Sequence, residues 1–246
     1  SYYSTTYNNT VVVTPEIDGE IHTESQKVYY IQIFLPLNID HTRLFYQRGN
    51  IDAALRRTTR IFNPNVRFRF ADRKKHTDYQ ISYRQTTTAP SLVYRLDLTD
   101  DVDPLNIQLG NPFLKNTTVY LVDASFSRSQ LPHYGNFSTC FFFRRVENAP
   151  AYSVLYDTKT GVRTTRPDNV NGNWNIFGNT GYNGCIDNTD RLSLSDTLQY
   201  GYLHNVVLAG TAAVERSVVH TVNLIDQLSL KYKIGQHNID LKGYVS

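Results

Sequence analysis

Residues Thr99 to Thr118 read TDDVDPLNIQLGNPFLKNTT, with three aspartates, two prolines, three asparagines and one glycine. The stretch lies between two segments that alternate like β-strands. Before it, Tyr79, Ile81 and Tyr83 alternate with Asp78, Gln80, Ser82 and Arg84; after it, Tyr120, Val122, Ala124 and Phe126 share one face. Pro104 and Pro112 fix φ and lack an N–H, so neither suits a central strand. Gly110-Asn111 ahead of Pro112 signals a turn. Asp100, Asp101 and Asp103 are costly in hydrocarbon and cheap in water. The segment is therefore expected to be an exposed loop between two strands, and connections beyond about 12–15 residues are usually functional or disordered.

The same period-two alternation runs through the rest of the chain. Val66, Phe68 and Phe70 alternate with Asn65, Arg67 and Arg69. From Arg191 to His204, Leu192, Leu194, Leu198, Tyr200 and Tyr202 share a face on which Asp196 is the intruder. From Val218 to Lys233, Val218, Val222, Leu224, Leu228, Leu230 and Tyr232 oppose Asn223, Gln227, Ser229, Lys231 and Lys233. No comparable stretch supports an amphipathic helix. Residues 162–183 and 215–233 each read as one strand longer than the ~9–11 residues that cross a bilayer.

Composition permits a membrane protein built of strands. The mean hydropathy of −0.41 would suit a soluble protein, but a transmembrane barrel has a low mean because only alternate residues face lipid. No run approaches the ~20 apolar residues of a membrane helix. A net charge of +3 with scattered basic residues gives no nucleic-acid footprint. The 18 tyrosines and 12 phenylalanines fit both strands and interfacial girdles. The first residues do not form a signal peptide and the chain lacks methionine, so either a mature N-terminus begins here or the chain is an internal piece of a longer protein. The piece is expected, because the last strand near Asn238–Ser246 stops with no terminating signal.

Connections are expected to alternate in length. Short turns are expected near Leu37–His41, Asp72–Lys75, Ser129–His133, Gly184–Arg191 and Ile234–His237, with longer ones near Gly49–Arg60, Thr87–Asn116, Asp157–Arg163 and Asn205–Val214. Short turns at one end and long loops at the other are the habit of an outer-membrane barrel. The fold class expected is all-β: an antiparallel up-and-down transmembrane β-barrel, partial, of about ten strands, with residues 1–246 as one such domain.

Two segments carry a family resemblance. YRQTTTAPSLVYRLDLTDDVDPLNIQLGNPFLKNTTVYLVDASFSRS contains a Thr-rich strand end, Pro90-Ser91, and then Asp103 to Lys115 as DPLNI..GNP.LK. Downstream comes YDTKTGVRTTRPDNVNGNWNIFGNTGYN, Tyr156 to Asn183. Together they resemble the barrel region of Bacteroidetes-type TonB-dependent receptor-like outer-membrane proteins, over roughly residues 25–246; Leu114-Lys115-Asn116 departs from the familiar LKP. The resemblance implies a parent barrel of 22 strands with a plug, energised uptake of a solute into the periplasm through a TonB complex, and loops that guard the barrel mouth. It also implies a bacterial outer-membrane location, contact with outer-membrane lipid, and a surface lipoprotein as a further partner. The plug and the remaining strands are expected outside these residues. A binding or assembly barrel without transport, and a soluble adhesin or carbohydrate-binding module, stand as alternatives.

Site candidates are few. Tyr94 and Arg95 are ligand or partner candidates in the long loop, and so, as hard-cation or ligand groups, are Asp100, Asp101 and Asp103. The aspartate spacing lacks the EF-hand glycine and terminal glutamate, which favours a solvated turn with no metal. The histidines at 22, 41, 76, 133, 204, 220 and 237 form no closely spaced metal pair, and no nucleophile elbow is present, so neither an enzyme nor a cofactor is expected. The sequons at Asn8, Asn116 and Asn136 carry no meaning in a bacterial outer membrane. Trp174 leads an apolar row with Ile176 and suits a girdle, or else packing within a wall extended beyond the membrane. The opposite face, Asn171, Asn173, Asn175 and Asn179, suits a wet lumen. Whether Cys140 and Cys185 pair is left open.

Overall fold

Each alternating segment becomes a strand. A computed structural model of the protein describes residues 2–48, 51–132, 135–210 and 213–246. Its strands are β1 (Tyr2–Val13), β2 (Glu16–His22), β3 (Lys27–Phe34), β4 (Leu37–Arg48), β5 (Ile51–Phe62) and β6 (Asn65–Asp72). They continue as β7 (Thr77–Thr88), β8 (Thr99–Asp100), β9 (Asn106–Leu109), β10 (Thr117–Leu131), β11 (Gly135–Glu147) and β12 (Ala149–Tyr156). The last are β13 (Arg163–Val170), β14 (Asn173–Cys185), β15 (Leu192–Gly210), β16 (Glu215–Ile234) and β17 (His237–Val245). No helix among the described residues is long and apolar enough to cross a membrane.

Ten strands form a curved antiparallel wall in the order β2-β3-β6-β7-β10-β11-β14-β15-β16-β17. Within the wall β2 and β17 have one neighbour each, so the barrel is not closed among the described residues. The ladder is continuous from strand to strand, and one rung runs Phe68, Ile81, Ala124, Phe141, Gly178, Tyr200, Leu224.

Prolines decide where the wall divides. β1 and β2 are parts of one pass broken at Pro15, β3 and β4 at Pro36, and β5 and β6 at Pro64. A proline has no N–H to give to a ladder. The three breaks lie side by side, with Leu35 N–H bonding to Pro15 O at 3.0 Å, Asn63 N–H to Pro36 O at 3.1 Å and Gln85 N–H to Pro64 O at 2.9 Å. Beyond them β1, β4 and β5 leave the wall as a separate three-stranded sheet. Joining the broken pairs and setting aside β8, β9, β12 and β13 leaves ten passes, the number expected.

Several expected turns move. Leu37–His41 lies inside β4, and the true turn is at 23–26, with Gln26 at φ 63°. Gly49–Arg60 is not a long connection, because β5 begins at Ile51; Gly49 and Asn50 lie outside the described residues. Asn205–Gly210 continues β15, which leaves only 211–214 as the link to β16. The β10–β11 turn follows Leu131, and His133 and Tyr134 lie outside the described residues. Residues 162–183 are two strands, β13 and β14, separated at Gly172, whose φ of 113° an L side chain rarely adopts. Long hairpins, rather than long coil, therefore make up much of the end opposite the short turns. Within the wall β16 spans 20 residues, close to the expected length.

The long connection 89–116 is the largest correction. Residues 101–106 are exposed as expected, but the connection is a folded cap anchored by buried Leu92, Leu96, Asn111 and Leu114 rather than an open loop. A 3₁₀ turn at Val93–Arg95 brings Leu92 and Leu96 onto Leu44 and Tyr46 of β4, and all four are buried. Further along, β9 pairs in parallel with β13, and β12 in parallel with β15. Ala149 and Val170 of the β12–β13 hairpin meet Val146 and Val206. Burial of each such leucine or valine side chain is worth roughly 1.5–3 kcal/mol.

Candidate functional site

The wall has two chemically distinct faces. On one, Phe68, Tyr79, Ile81 and Phe141 are exposed although large and apolar, with Ile81 at 51%. No second sheet covers them. Aromatic rings join across four strand boundaries near the short turns: Tyr29–Phe70 at 4.9 Å, Phe70–Tyr79 at 5.8 Å, Tyr79–Phe126 at 4.6 Å and Phe126–Phe137 at 6.0 Å. A second cluster lies toward the cap, where Trp174 is 5.1 Å from Tyr202 and stacks on His204 at 5.5 Å. On β14, Trp174 and Tyr182 are eight residues apart, about 26 Å along a strand or about 20 Å along the normal of a barrel tilted by about 40°.

The other face is polar. Its rungs carry Arg67, Ser82 and Asp123 together, and Tyr30, Arg69, Gln80, Ser125, Cys140, Asn179 and Gln199 together. Ser82 Oγ donates to Asp123 Oδ1, and Arg69 pairs with Asp78 at 2.6 Å. A recess of about 810 Å³ opens on this face at the turn end, between Tyr30, Arg67, Arg69 and Gln80. Arg67 Nε beside this recess, and Asn175 Oδ1 near the cap end of β14, are buried without a partner among the described residues.

The cap collects the remaining chemistry. Tyr94 packs edge-on against Tyr152 at 6.2 Å, and a hydrogen bond between the two phenols, with burial, pushes the Tyr152 hydroxyl above its ordinary value. Arg95 donates from Nε and Nη2 to Pro112 O at 3.0 and 2.7 Å. Beside it, Arg57 of β5 donates from Nη2 to Asn116 Oδ1, while its Nη1 is buried with no partner among the described residues. Burial, and then the neighbouring charge of Arg95, lowers the Arg57 pKa. Asn111, buried at the base of the cap, holds its turn by accepting from Phe113 N–H and donating to Pro167 O, both at 3.0 Å.

The sequence model of the outer membrane protein beta-barrel family matches residues 38–240. This chain belongs to that family. Its location is the bacterial outer membrane, and the exposed apolar face is the lipid face of the barrel wall. The polar face lines the lumen. No curated protein and no solved structure matches the chain.

Within this family member, the residues singled out from sequence go to different places. Tyr94 and Arg95 stand together in the cap. Asp103 instead shapes a turn, accepting from Leu105 N–H at 3.0 Å and Asn106 Nδ2 at 2.7 Å; those bonds, the Asn106 side chain first, hold its carboxyl below the usual range. Asp100 accepts from Val102 N–H, and Asp101 is exposed. The three are not drawn into any metal-holding group of His, Cys, Asp or Glu among the described residues. Asn175 and Asn179 line the lumen, whereas Asn171 and Asn173 accept from Asn148 N–H and Val206 N–H at 2.7 Å each and brace the wall's upper edge. Cys140 and Cys185 are free thiols. Cys140 sits opposite Asn179, six residues along β14 from Cys185, or about 20 Å.

Sequence reasoning missed three features. Arg57 passed unnoticed because nothing local distinguishes it from Arg56. His204 and His220, sixteen residues apart, are rung partners with ring centroids 4.9 Å apart, and Tyr202 Oη lies 2.6 Å from His220 Nδ1. Asp226 joins Asp196 on the lipid face, opposite Leu198. In each case the signal was register, which no local window contains.

Proposed function

We propose that this chain supplies wall and extracellular cap to a TonB-dependent receptor that takes up a solute into the periplasm. The cap end is the extracellular end, following the rule that short turns face the periplasm. The observation that carries the reading is the folding of residues 89–116 onto β4. A receptor needs a preorganised surface at its mouth, and this connection has its own buried core, Leu92 and Leu96 against Leu44 and Tyr46. The Asp103–Lys115 motif of the resemblance lies within that cap. The unsatisfied Arg67 Nε and Asn175 Oδ1 on the lumen face support a polar body in the pore, since buried polar groups are ordinarily paired. A plug domain encoded outside these residues, in a 22-stranded parent barrel, would fill that role and contact the TonB complex. Exposed Val102, Leu105 and Phe113 on the cap offer an apolar face to a surface lipoprotein. The role proposed is not catalytic.

The test is uptake by cells carrying the full-length gene, across a panel of labelled solutes. Uptake should require both this gene and TonB. Deletion of residues 99–109 should abolish it while the barrel still fractionates with the outer membrane. Solute capture that persists unchanged without TonB would point instead to a binding or assembly role.

A further inference from the structure

We infer that Arg57 and Arg95 form a binding site for an oxyanion group of the solute, a carboxylate, sulfate or phosphate, at the mouth of the barrel. Arg57 lies on the face of β5 that the cap covers, between the half-buried Leu55 and the buried Thr59. A half-buried guanidinium whose Nη1 is enclosed normally has an acid or an acceptor beside it, because an enclosed charge loses solvation. Arg57 has instead a second guanidinium as its electrostatic neighbour, that of Arg95. Among the described residues no carboxylate pairs with either.

The donors that remain are specific. Arg57 has spent Nη2 on the Asn116 side chain and holds Nη1 buried and unsatisfied. Arg95 is clamped by Pro112 O through Nε and Nη2, so its orientation is fixed while its other N–H groups stay unspent. Two guanidiniums near enough to repel, with no acid pairing either among the described residues, match an oxygen pair of an anionic group. Arg43 and Arg56 are rung partners on the opposite, exposed face of this sheet, turned away from the site. The inference names the solute class for the receptor proposed above and rests on that reading for where the anion comes from. The binding step itself needs no transport.

The test therefore measures binding alone, on the full-length protein in detergent micelles, with sodium sulfate, sodium phosphate and sodium acetate titrated against sodium chloride at matched ionic strength. At least one oxyanion should raise the melting midpoint saturably, by a few degrees at a hundredfold excess over its Kd. Arg57→Gln should abolish that shift while raising the midpoint of the unliganded protein, since a half-buried cation repelled by Arg95 has gone. Arg95→Gln should weaken the oxyanion at least tenfold. Arg43→Gln, on the exposed face, should leave the response intact. A flat response in the wild-type protein, which would mean that Nη1 is merely hydrated, overturns the site; so does a full response in both Arg57→Gln and Arg95→Gln. Failure of TonB-dependent uptake with a normal oxyanion response would reject the transport reading and leave the site standing.

Discussion

The ring of Tyr200 lies across Gly178 on the lipid face of neighbouring strands: a Cβ on that glycine would meet ring atoms at 2.3 Å. One rung away, on the lumen face, Phe177 covers Gly201 in the same way, with a Cβ there only 2.8 Å from its ring. An aromatic side chain laid over a strand glycine replaces the packing the glycine lacks. Gly178→Ala should therefore cost about 1 kcal/mol, because the Tyr200 ring must swing off its neighbour. In a denaturant titration in micelles, the double change Gly178→Ala with Tyr200→Ala should cost no more than Tyr200→Ala alone. Strict additivity would show that the two do not interact.

The assignment of faces can be tested on consecutive residues. Ile81 stands on the lipid rung and Gln80 on the lumen rung of β7. Ile81→Arg should destabilise the folded barrel by about 2–4 kcal/mol, the cost of a cation near the bilayer midplane, whereas Gln80→Arg should cost less than about 1 kcal/mol. Equal costs for both in lipid vesicles would remove the basis for a membrane wall.

Trp174 is the only tryptophan in the chain, so its emission reports one depth. The girdle reading of its cluster with Tyr202 and His204 predicts a place at the headgroup level. Lipids brominated near the glycerol should quench it more strongly than lipids brominated near the chain terminus. The reverse order would place this ring in the bilayer centre.

The cap depends on a close backbone approach. A Cβ at Gly110 would sit 1.7 Å from Leu96 O, a distance no rotamer change relieves. Gly110→Ala should lift the cap and speed proteolytic cleavage within residues 99–109 at least tenfold. The wall should still fold, since it does not pass through this segment. An unchanged cleavage rate would mean that the cap is held elsewhere.

Acid should loosen the β14–β15 turn. Asp187 accepts from the Thr189 hydroxyl first, then from Leu192 N–H at 2.7 Å, and its pKa is lowered to about 2. A depressed carboxyl contributes its full stabilisation above the unfolded value near 3.9. That contribution is lost as pH falls from about 4 toward about 2. Amide exchange at Leu192 should accelerate across this window beyond the intrinsic rate, and Asp187→Ala should show the faster exchange already at neutral pH. Equal protection in the two proteins at neutral pH would exclude the carboxylate as the clamp.

Much of the wall was legible in the sequence because alternation is local. The rows Val66-Phe68-Phe70 and Leu198-Tyr200-Tyr202 name their face whatever their neighbours are. Turn chemistry was legible for the same reason at Asp157–Gly161, where Asp157 accepts from Thr160 Oγ1 and Gly161 takes φ 74°. Prolines misled. A turn is expected at Leu37–His41, yet the pass breaks only at Leu35-Pro36 and runs on as β4, and only the alignment of Pro36 with Pro15 and Pro64 reveals that three passes break together.

What the sequence determined by itself was which side of each strand meets lipid and which meets water, because side chains alternate at fixed period along any extended backbone. The tertiary structure alone decided that residues 89–116 fold into a cap and that Arg57 comes to lie beside Arg95. Both results depend on segments far apart in the chain meeting through hydrophobic burial and strand register, and the free energy of that meeting belongs to the pair rather than to either segment.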